Sequence, residues 1–331
     1  MTTAQETIST LFDSGAVREL IDSKNIPQLS NLSGLSITPI KKKTDRDFYH
    51  LVIRYDSPAL GEYPLFCSAH SEEDRGNAFR ALMYVKNNLP QDAADNTPTP
   101  LFYDESLRAF FYRGMDGDNL LELLEGSTDE VRTPLAQLGA WLADLHQLPA
   151  TQKQNFNEYN SAIKTVLPGP RHFLPKIQRK FPEHHERVEK LFYAFVAYEE
   201  AVSEPHSLIH GDLHPENVII NSAEGHISII DYTDICIADP MRDLGSFMQQ
   251  LSFMGLGKRS DEEIKKMQDH FIAAYEQARK QELSESERKR ILLYQAWTAF
   301  RSTVYFLTKE PPEEREARHT LEVSEQLARL L

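Results

Sequence analysis

Residues 209–220 read IHGDLHPENVII and residues 229–234 read IIDYTD, and these two stretches decide the fold. Asp212 sits in a polar segment, Asn217 follows five positions later, and Asp231 ends a second apolar run. The runs Val218 to Ile220 and Ile227 to Ile230 are short and β-branched, which predicts two strands flanked by loops. A hairpin of the two brings Asn217 and Asp231 to one end. Carboxylate and amide oxygens are hard donors that suit Mg²⁺, whose coordination is usually completed by substrate phosphates. Asp212 is a further carboxylate able to accept or orient the proton of an attacking hydroxyl. Phosphoryl transfer needs those parts: a metal to neutralise phosphate charge and a carboxylate aimed at the nucleophile. Read one at a time, each residue is an ordinary loop acid or amide; the spacing of the set argues otherwise.

Working outward, charge concentrates around the same stretch. The 331 residues hold 36 Lys+Arg against 50 Asp+Glu, a formal charge of −14. Residues 201–245 hold eight acids against one base, and residues 101–130 hold eight against two. The remainder is almost neutral, so the acidity marks particular segments. An acidic chain is a poor match for a nucleic-acid backbone or an anionic membrane, and neither is expected as a partner. Cys67 and Cys236 are the only cysteines and lie far apart in sequence, which supports neither a disulfide framework nor a zinc-thiolate site and suits a reducing compartment. No apolar run reaches the ~18–20 residues that span a bilayer. The N-terminus, MTTAQETISTLFDSG, lacks the basic and apolar regions of a signal peptide. A cytoplasmic protein is expected.

The length suits two lobes better than one core. Residues 4–22 read as helical pieces broken at Gly15. Leu35–Ile37, Phe48–Tyr55 and Tyr63–Ala69 read as strands, Gly76–Asn87 as a helix, and 91–100 as a proline-punctuated loop. Leu101–Tyr103 and Ala109–Tyr112 read as two more strands. Beyond a linker near 113–118 the pattern is helical: 120–124, 134–146, 159–166, 186–200, 260–281, 284–307 and a charged tail with Leu321, Val323 and Leu327 on its docking face. The expected division is residues 1–115 as a β-rich first lobe and 116–331 as a mostly helical second lobe.

The segment His210-Gly-Asp212-Leu-His-Pro-Glu-Asn217, followed by Ile-Asp231-Tyr and Asp239-Pro-Met-Arg-Asp243-Leu, resembles the aminoglycoside phosphotransferase and choline kinase-like superfamily. Leu138-Gly-Ala-Trp-Leu-Ala-Asp-Leu-His146 is similar to that family's LGxxLAxLH helix, and Arg113-Gly-Met-Asp-Gly117 to its hinge. The resemblance implies an α+β, bilobal protein-kinase-like fold, with the catalytic loop at 209–235, an acceptor-site insertion near 151–205 and a cleft between the lobes. It implies ATP or GTP and Mg²⁺ as cofactors, Asp212 as the catalytic carboxylate, and Asn217 and Asp231 as metal ligands. Arg113 and Met115 fall at the adenine end. His210, Asp234 and Asp243 support the site, Asp243 through backbone amides and His210, while Asp234 orders its loop or meets substrate.

The first lobe departs from the family pattern. Relatives carry a lysine on the third strand for the α- and β-phosphates, often paired with a glutamate on the next helix. Here Ser68 stands at that position, or Cys67 if the register slips by one, and Asn77 replaces the acid. No lysine lies between Lys43 and Lys86. A hydroxyl supplies none of the charge of an ammonium. Three readings stay open. Another cation takes over, from Lys41, Lys42, Lys43, Arg46, Arg54 or Arg75, with Lys43 preferred although a basic run by itself reads as a solvated turn. Or metal and backbone amides suffice. Or the protein is a pseudokinase with weak or no turnover. Trp141 and Trp297 are expected in the core, and His172, His184 and His185 on the surface. Arg171 and Lys176, in a more basic stretch, either meet an anionic part of the substrate or are plain helix charge. The acceptor is expected to be a small-molecule hydroxyl compound: an amino alcohol, an aminoglycoside or something sugar-like. The acidic stretch admits a cationic one, and the sequence leaves the oligomeric state open.

Overall fold

Tyr49–Asp56 alternate without a break between buried and half-buried positions. That period of two places Tyr49, Leu51, Ile53 and Tyr55 on one face of a strand and His50, Val52 and Arg54 on the other. The computed structural model describes all residues except 1–2, 30–31, 62, 74, 127, 203–205 and 222–224. Glu204 and Glu224, two of the acids counted above, lie outside the described residues, as do the end of the 151–205 insertion and part of the 209–235 segment.

In chain order the elements are α1 (Ala4–Phe12), α2 (Ser14–Ser23), β1 (Ser36–Thr44), β2 (Tyr49–Asp56), β3 (Leu65–His70), α3 (Arg75–Asn88), α4 (Gln91–Asp95), β4 (Thr99–Asp104), β5 (Ala109–Arg113) and a two-residue β6 (Asp118–Asn119). There follow α5 (Leu120–Leu123), α6 (Thr128–Gln147), α7 (Pro170–Lys180), α8 (Pro182–Ala201), β7 (Ser207–Ile209), β8 (Val218–Asn221), β9 (His226–Ile229), β10 (Cys236–Ala238), α9 (Met241–Met254), α10 (Asp261–Arg279), α11 (Glu285–Thr308) and α12 (Glu314–Ala328). The chain forms two units, Met1–Asp118 with Val218–Thr233 and Asn119–Asn217 with Asp234–Leu331. Unlike a single cut near 115, this division gives the β8–β9 hairpin to the first unit.

In the first unit five antiparallel strands run in the order β1-β2-β3-β5-β4. Leu11, Val17 and Ile21 of α1 and α2 share a core with Leu51, Ile53, Tyr55, Cys67 and Phe111. Each of the larger side chains contributes roughly 1.5–3 kcal/mol by leaving water. The break between α1 and α2 falls at Asp13 rather than Gly15, because the Asp13 carboxylate accepts the Ala16 N–H at 2.8 Å and caps α2. The basic run is a strand, not a turn: Lys41, Lys42 and Lys43 lie in β1, whose exposed edge gives no alternation of polarity to read. Val218, the residue after Asn217, pairs with Ile229, two residues before Asp231. Gly117 runs so close to this hairpin that a Cβ there would stand 2.1 Å from the Ile220 carbonyl oxygen.

In the second unit α6 packs on α10, and α11 on α9 and α12. Leu321 of α12 is buried as its docking face requires. Three expectations are corrected. Residues 159–166 do not form the expected helix: Tyr159 and Asn160 end a single 3-10 turn, Glu158–Asn160, and bends and turns follow, because Asn157 and Asn160 spend their backbone and side-chain groups on local and loop bonds. Residues 91–95 form a helical turn, α4, within the expected loop. His184 is buried, because it lies on the inward face of α8 with Val188 and Phe195. Among the described residues no helix is long and apolar enough to cross a membrane.

Candidate active site

In the second unit the strand pair β7–β10 delivers His210 and Gly211 to one buried carboxylate. Asp243, in the first turn of α9, accepts the backbone N–H of His210 at 2.7 Å and of Gly211 at 2.9 Å. His146 Nε2 lies 3.1 Å from the same carboxylate, and its Nδ1 lies 3.0 Å from the Tyr275 hydroxyl. Burial by itself raises the Asp243 pKa. The bond from His146, the charges of His146 and His210 and the Gly211 amide outweigh it, so the group lies below the usual carboxylate range. Asp243 is therefore an ionised brace beneath the loop.

Gly211 has φ +82, and a Cβ there would lie 2.3 Å from the Asp234 carbonyl oxygen and 2.5 Å from Asn160 Nδ2. Gly211→Ala is expected to cost roughly 1–3 kcal/mol in backbone strain alone. Urea unfolding measures it, and a wild-type midpoint would show that the loop relaxes freely. Asn160 is the hub of this region. Its amide donates to the carbonyls of Gly211 (3.3 Å) and Asp234 (3.1 Å), and Arg242 donates to both its backbone and side-chain oxygens. Asn157 donates to the Asp234 carboxylate at 2.8 Å, which makes Asp234 part of the loop's own bonding.

On this braced loop the Asp212 side chain is about half exposed, with His214 Nε2 3.8 Å from its Oδ2. It borders a cavity of about 300 Å³ lined also by Arg242, Ser246, Trp297, Arg301 and Tyr305. Asn217 is buried and donates through Nδ2 to the Asp212 carbonyl at 2.9 Å and toward His214 Nε2 at 3.0 Å. A carbonyl only accepts, so the amide nitrogen must face it. Asn217 Oδ1 is thereby left without a hydrogen bond among the described residues.

In the first unit Asp231 has φ +63, and its Oδ1 accepts the Thr233 hydroxyl at 2.5 Å. Thr233 Oγ1 in turn accepts from Arg75 Nη1 at 2.6 Å. Arg75, 3% exposed, also pairs with Glu73 at 3.1 Å and points Nη2 at His50 Nε2, 3.2 Å away. Burial, then the charges of Lys41 and Arg75, push the His50 pKa down to about 3. His50 is thus neutral at ordinary pH and accepts from Arg75.

The register resolves the choice between Ser68 and Cys67. Cys67 is in the core, and Ser68 is on the opposite face, in one row with Val52 and Lys41. Of the candidate cations, Arg54 is held by Asp56 and Asp116, Lys42 lies over the Phe12 ring 4.6 Å from its centroid, and Arg75 is engaged as described. Lys41 and Lys43 share the Ser68 face and have no ion pair among the described residues. Lys41 feels the Asp231 charge: burial lowers its pKa, Asp231 raises it, and Lys43 and Arg75 lower it further. Asn77 accepts from Arg80, its neighbour on α3. Arg113 and Met115 line a different cavity, of about 620 Å³, between β4, β5 and β9. Ser68, Lys43 and Asp231 do not line it, and Arg113 donates to the Leu60 carbonyl.

The oxygen donors fit Mg²⁺ in kind: the uncommitted Asn217 amide oxygen and the oriented Asp231 carboxylate are hard ligands. Among the described residues no group of three or more His, Cys, Asp or Glu could by itself hold a metal ion.

A model described as the phosphotransferase enzyme family matches residues 65–287, more than half of the chain. The chain belongs to that family. No curated protein matches the chain significantly in sequence. Solved structures do match in fold. The Plasmodium vivax ethanolamine kinase is 14% identical, with a TM-score of 0.59, covering 94% of this chain and 89% of that one. The choline kinase of Cryptosporidium parvum Iowa II is 12% identical, with a TM-score of 0.61 and 96% of each chain covered. The protein of the streptomycin–ATP–APH(2″)-IIa ternary complex is 13% identical, with a TM-score of 0.61, covering 95% of this chain and 96% of that one. These likenesses fix the fold as α+β and protein-kinase-like, with a β-rich N-terminal and a mostly helical C-terminal part.

Sequence reading passed over Asn160, Thr233, His50 and Arg301. His146 ends the helix motif, and its role lies in its contact with Asp243. Asn160 and Arg301 give no signal, since the groups that Asn160 bonds and the charges that act on Arg301 lie about fifty to ninety residues away in the chain.

Proposed function

We propose that this phosphotransferase moves the γ-phosphoryl group of ATP or GTP to a hydroxyl of a small molecule in a Mg²⁺-dependent reaction. The observation that carries the reading is Asp212: an exposed carboxylate on a loop pinned by Asp243, opening on a cavity. The acceptor hydroxyl oxygen attacks the γ-phosphorus as its proton passes to an Asp212 oxygen. The bond from the γ-phosphorus to the bridging oxygen breaks, and the nucleoside diphosphate leaves with that electron pair. Asn217 and Asp231 are the proposed metal ligands, Asn217 oriented by Asp212 and His214 and Asp231 by Thr233 and Arg75. Mg²⁺ bound there neutralises phosphate charge. Asp234 and Asp243, with the His210 backbone, hold the loop. Arg113 and Met115 are assigned to the nucleotide base. Nucleotide-bound relatives of the same fold, including the streptomycin–ATP complex, support nucleotide use.

For the cation missing at Ser68 we propose Lys41 ahead of Lys43, because Lys41 lies in the Ser68 row and feels the Asp231 charge. Calorimetric titration of ATP tests the reading. Binding is expected with Mg²⁺ and not with EDTA, and Lys41→Ala should weaken it about tenfold, the worth of one charge-assisted contact. Absence of Mg²⁺-dependent nucleotide binding would remove the kinase reading. Ser68 supports a second reading, a pseudokinase that binds nucleotide with little turnover. Binding without transfer to any acceptor would favour it.

A further inference from the structure

The cavity beside Asp212 lies wholly within the second unit, between α9 and α11. Helical spacing explains its walls. Arg242, Ser246, Gln250 and Phe253 follow one another along α9, while Trp297, Arg301 and Tyr305 form a stripe at four-residue intervals on α11.

Its charges are unbalanced. Among the described residues Asp212 is the only acid in the lining, which it shares with two arginines. Arg242 is committed to Asn160 through two bonds. Arg301 is exposed and makes no hydrogen bond or ion pair among the described residues. Dense protein around it and the like charge of Arg242 work against its protonated form, and Asp212 and Asp234 support it. Trp297, buried among Phe192, Phe195 and Phe300, also lines the cavity, and its indole N–H has no acceptor among the described residues. The wall therefore offers donors, and its one carboxylate is the group assigned to the acceptor hydroxyl. An ammonium placed there would meet Arg301 with no further acid to hold it. A guanidinium fork instead matches the two oxygens of a carboxylate or phosphate.

We propose that the acceptor is a small hydroxylated anion, whose carboxylate or phosphate is held by Arg301 while its hydroxyl faces Asp212. This departs from the cationic acceptor that the charge count admits, and it rests on the reading of Asp212 as the acceptor-facing carboxylate. Arg301 is a specificity-determining residue, and the aromatic rings of Trp297 and Tyr305 bound the acceptor carbon chain.

The test is calorimetric titration of the full chain, as wild type, Arg301→Gln and Arg301→Lys. The probes are D-gluconate, D-glycerate and glycerol 3-phosphate, set against glycerol, choline and ethanolamine. At least one anion is expected to bind at least tenfold more tightly than glycerol. Arg301→Gln should remove that advantage, Arg301→Lys should restore part of it, and Mg·ATP affinity should be alike in all three proteins. Thermal unfolding of the variants checks that the fold persists. The proposal is overturned if choline or ethanolamine binds better than every anion, if no anion binds, or if anion binding is indifferent to residue 301. It is also overturned if Arg301→Gln weakens Mg·ATP instead, which would place Arg301 on the nucleotide. Arg301-dependent anion binding without phosphorylation of the bound anion would uphold the anion pocket and count against the phosphotransferase reading of this chain.

Discussion

Asp212→Asn is expected to lower the rate of phosphoryl transfer by about 10²–10⁴-fold, the range over which a positioned general base acts. Mg·ATP binding should stay within about a factor of two. The asymmetry follows from what Asp212 touches. Its backbone carbonyl orients Asn217, and an Asn substitution keeps that carbonyl. Only the side chain changes, from a proton acceptor to an amide of the same shape. The proposed metal ligands Asn217 and Asp231 are therefore left intact while the acceptor hydroxyl loses its proposed partner. Release of nucleoside diphosphate in the presence of a working acceptor measures the rate, and calorimetry measures nucleotide affinity. A variant with wild-type turnover would take the base assignment away from Asp212. A variant that lost nucleotide binding as well would mean that Asp212 holds the metal.

Asp243→Ala should have the largest effect on stability. The carboxylate accepts two backbone N–H groups and faces His146 at full burial, so its removal orphans all three. Buried donors without partners cost about 1–3 kcal/mol each. The expected loss is about 3 kcal/mol or more, with a fall in melting temperature on the order of 10 °C. Turnover should fall with it, because the loop carrying Asp212 loses its brace. The pH dependence separates this from a generic core defect. The Asp243 pKa is depressed in the folded state, so its contribution is fully present above the unfolded carboxylate pKa of about 3.9 and disappears as pH falls through the lower folded value. Wild type should therefore lose more stability than Asp243→Ala on acidification below about pH 4. Parallel acid-denaturation curves for the two proteins would show that Asp243 is not ionised when folded.

The proposed catalytic segment was legible because its information is local: Asp212, Asn217 and Asp231 are separated by short, β-branched runs. β2 was legible because Phe48 to Tyr55 is rich in β-branched and aromatic residues. β1 was legible only at its start, at Ser36 and Ile37, because an edge strand exposed along its length has no core face to set a pattern, and its lysines read as a turn. Residues 159–166 misled for the opposite reason. Their apolar spacing fits a helix, but the asparagines form bonds to Gly211 and Asp234 that no local pattern records. The choice between Ser68 and Cys67 needed strand register, and a slip of one residue exchanges the faces. Trp297 was read as core and is buried, yet it also lines the cavity beside Asp212. Both hold because its ring packs against Phe192, Phe195 and Phe300 while also forming part of the cavity wall.

The hairpin β8–β9 folds with the first 118 residues but is encoded after residues 119–217. During synthesis the five-stranded sheet emerges first, with Gly117 and the Asn96 carbonyl awaiting strands that supply Ile220 and the Ile229 N–H. Nearly a hundred residues of the second unit must leave the ribosome before that closure is possible. Strict N-to-C folding, one unit completed before the next begins, is thus closed to this chain. The last piece to join the first unit is also the one that carries Asp231, so a chain stalled or truncated before residue 231 has no proposed metal carboxylate to present.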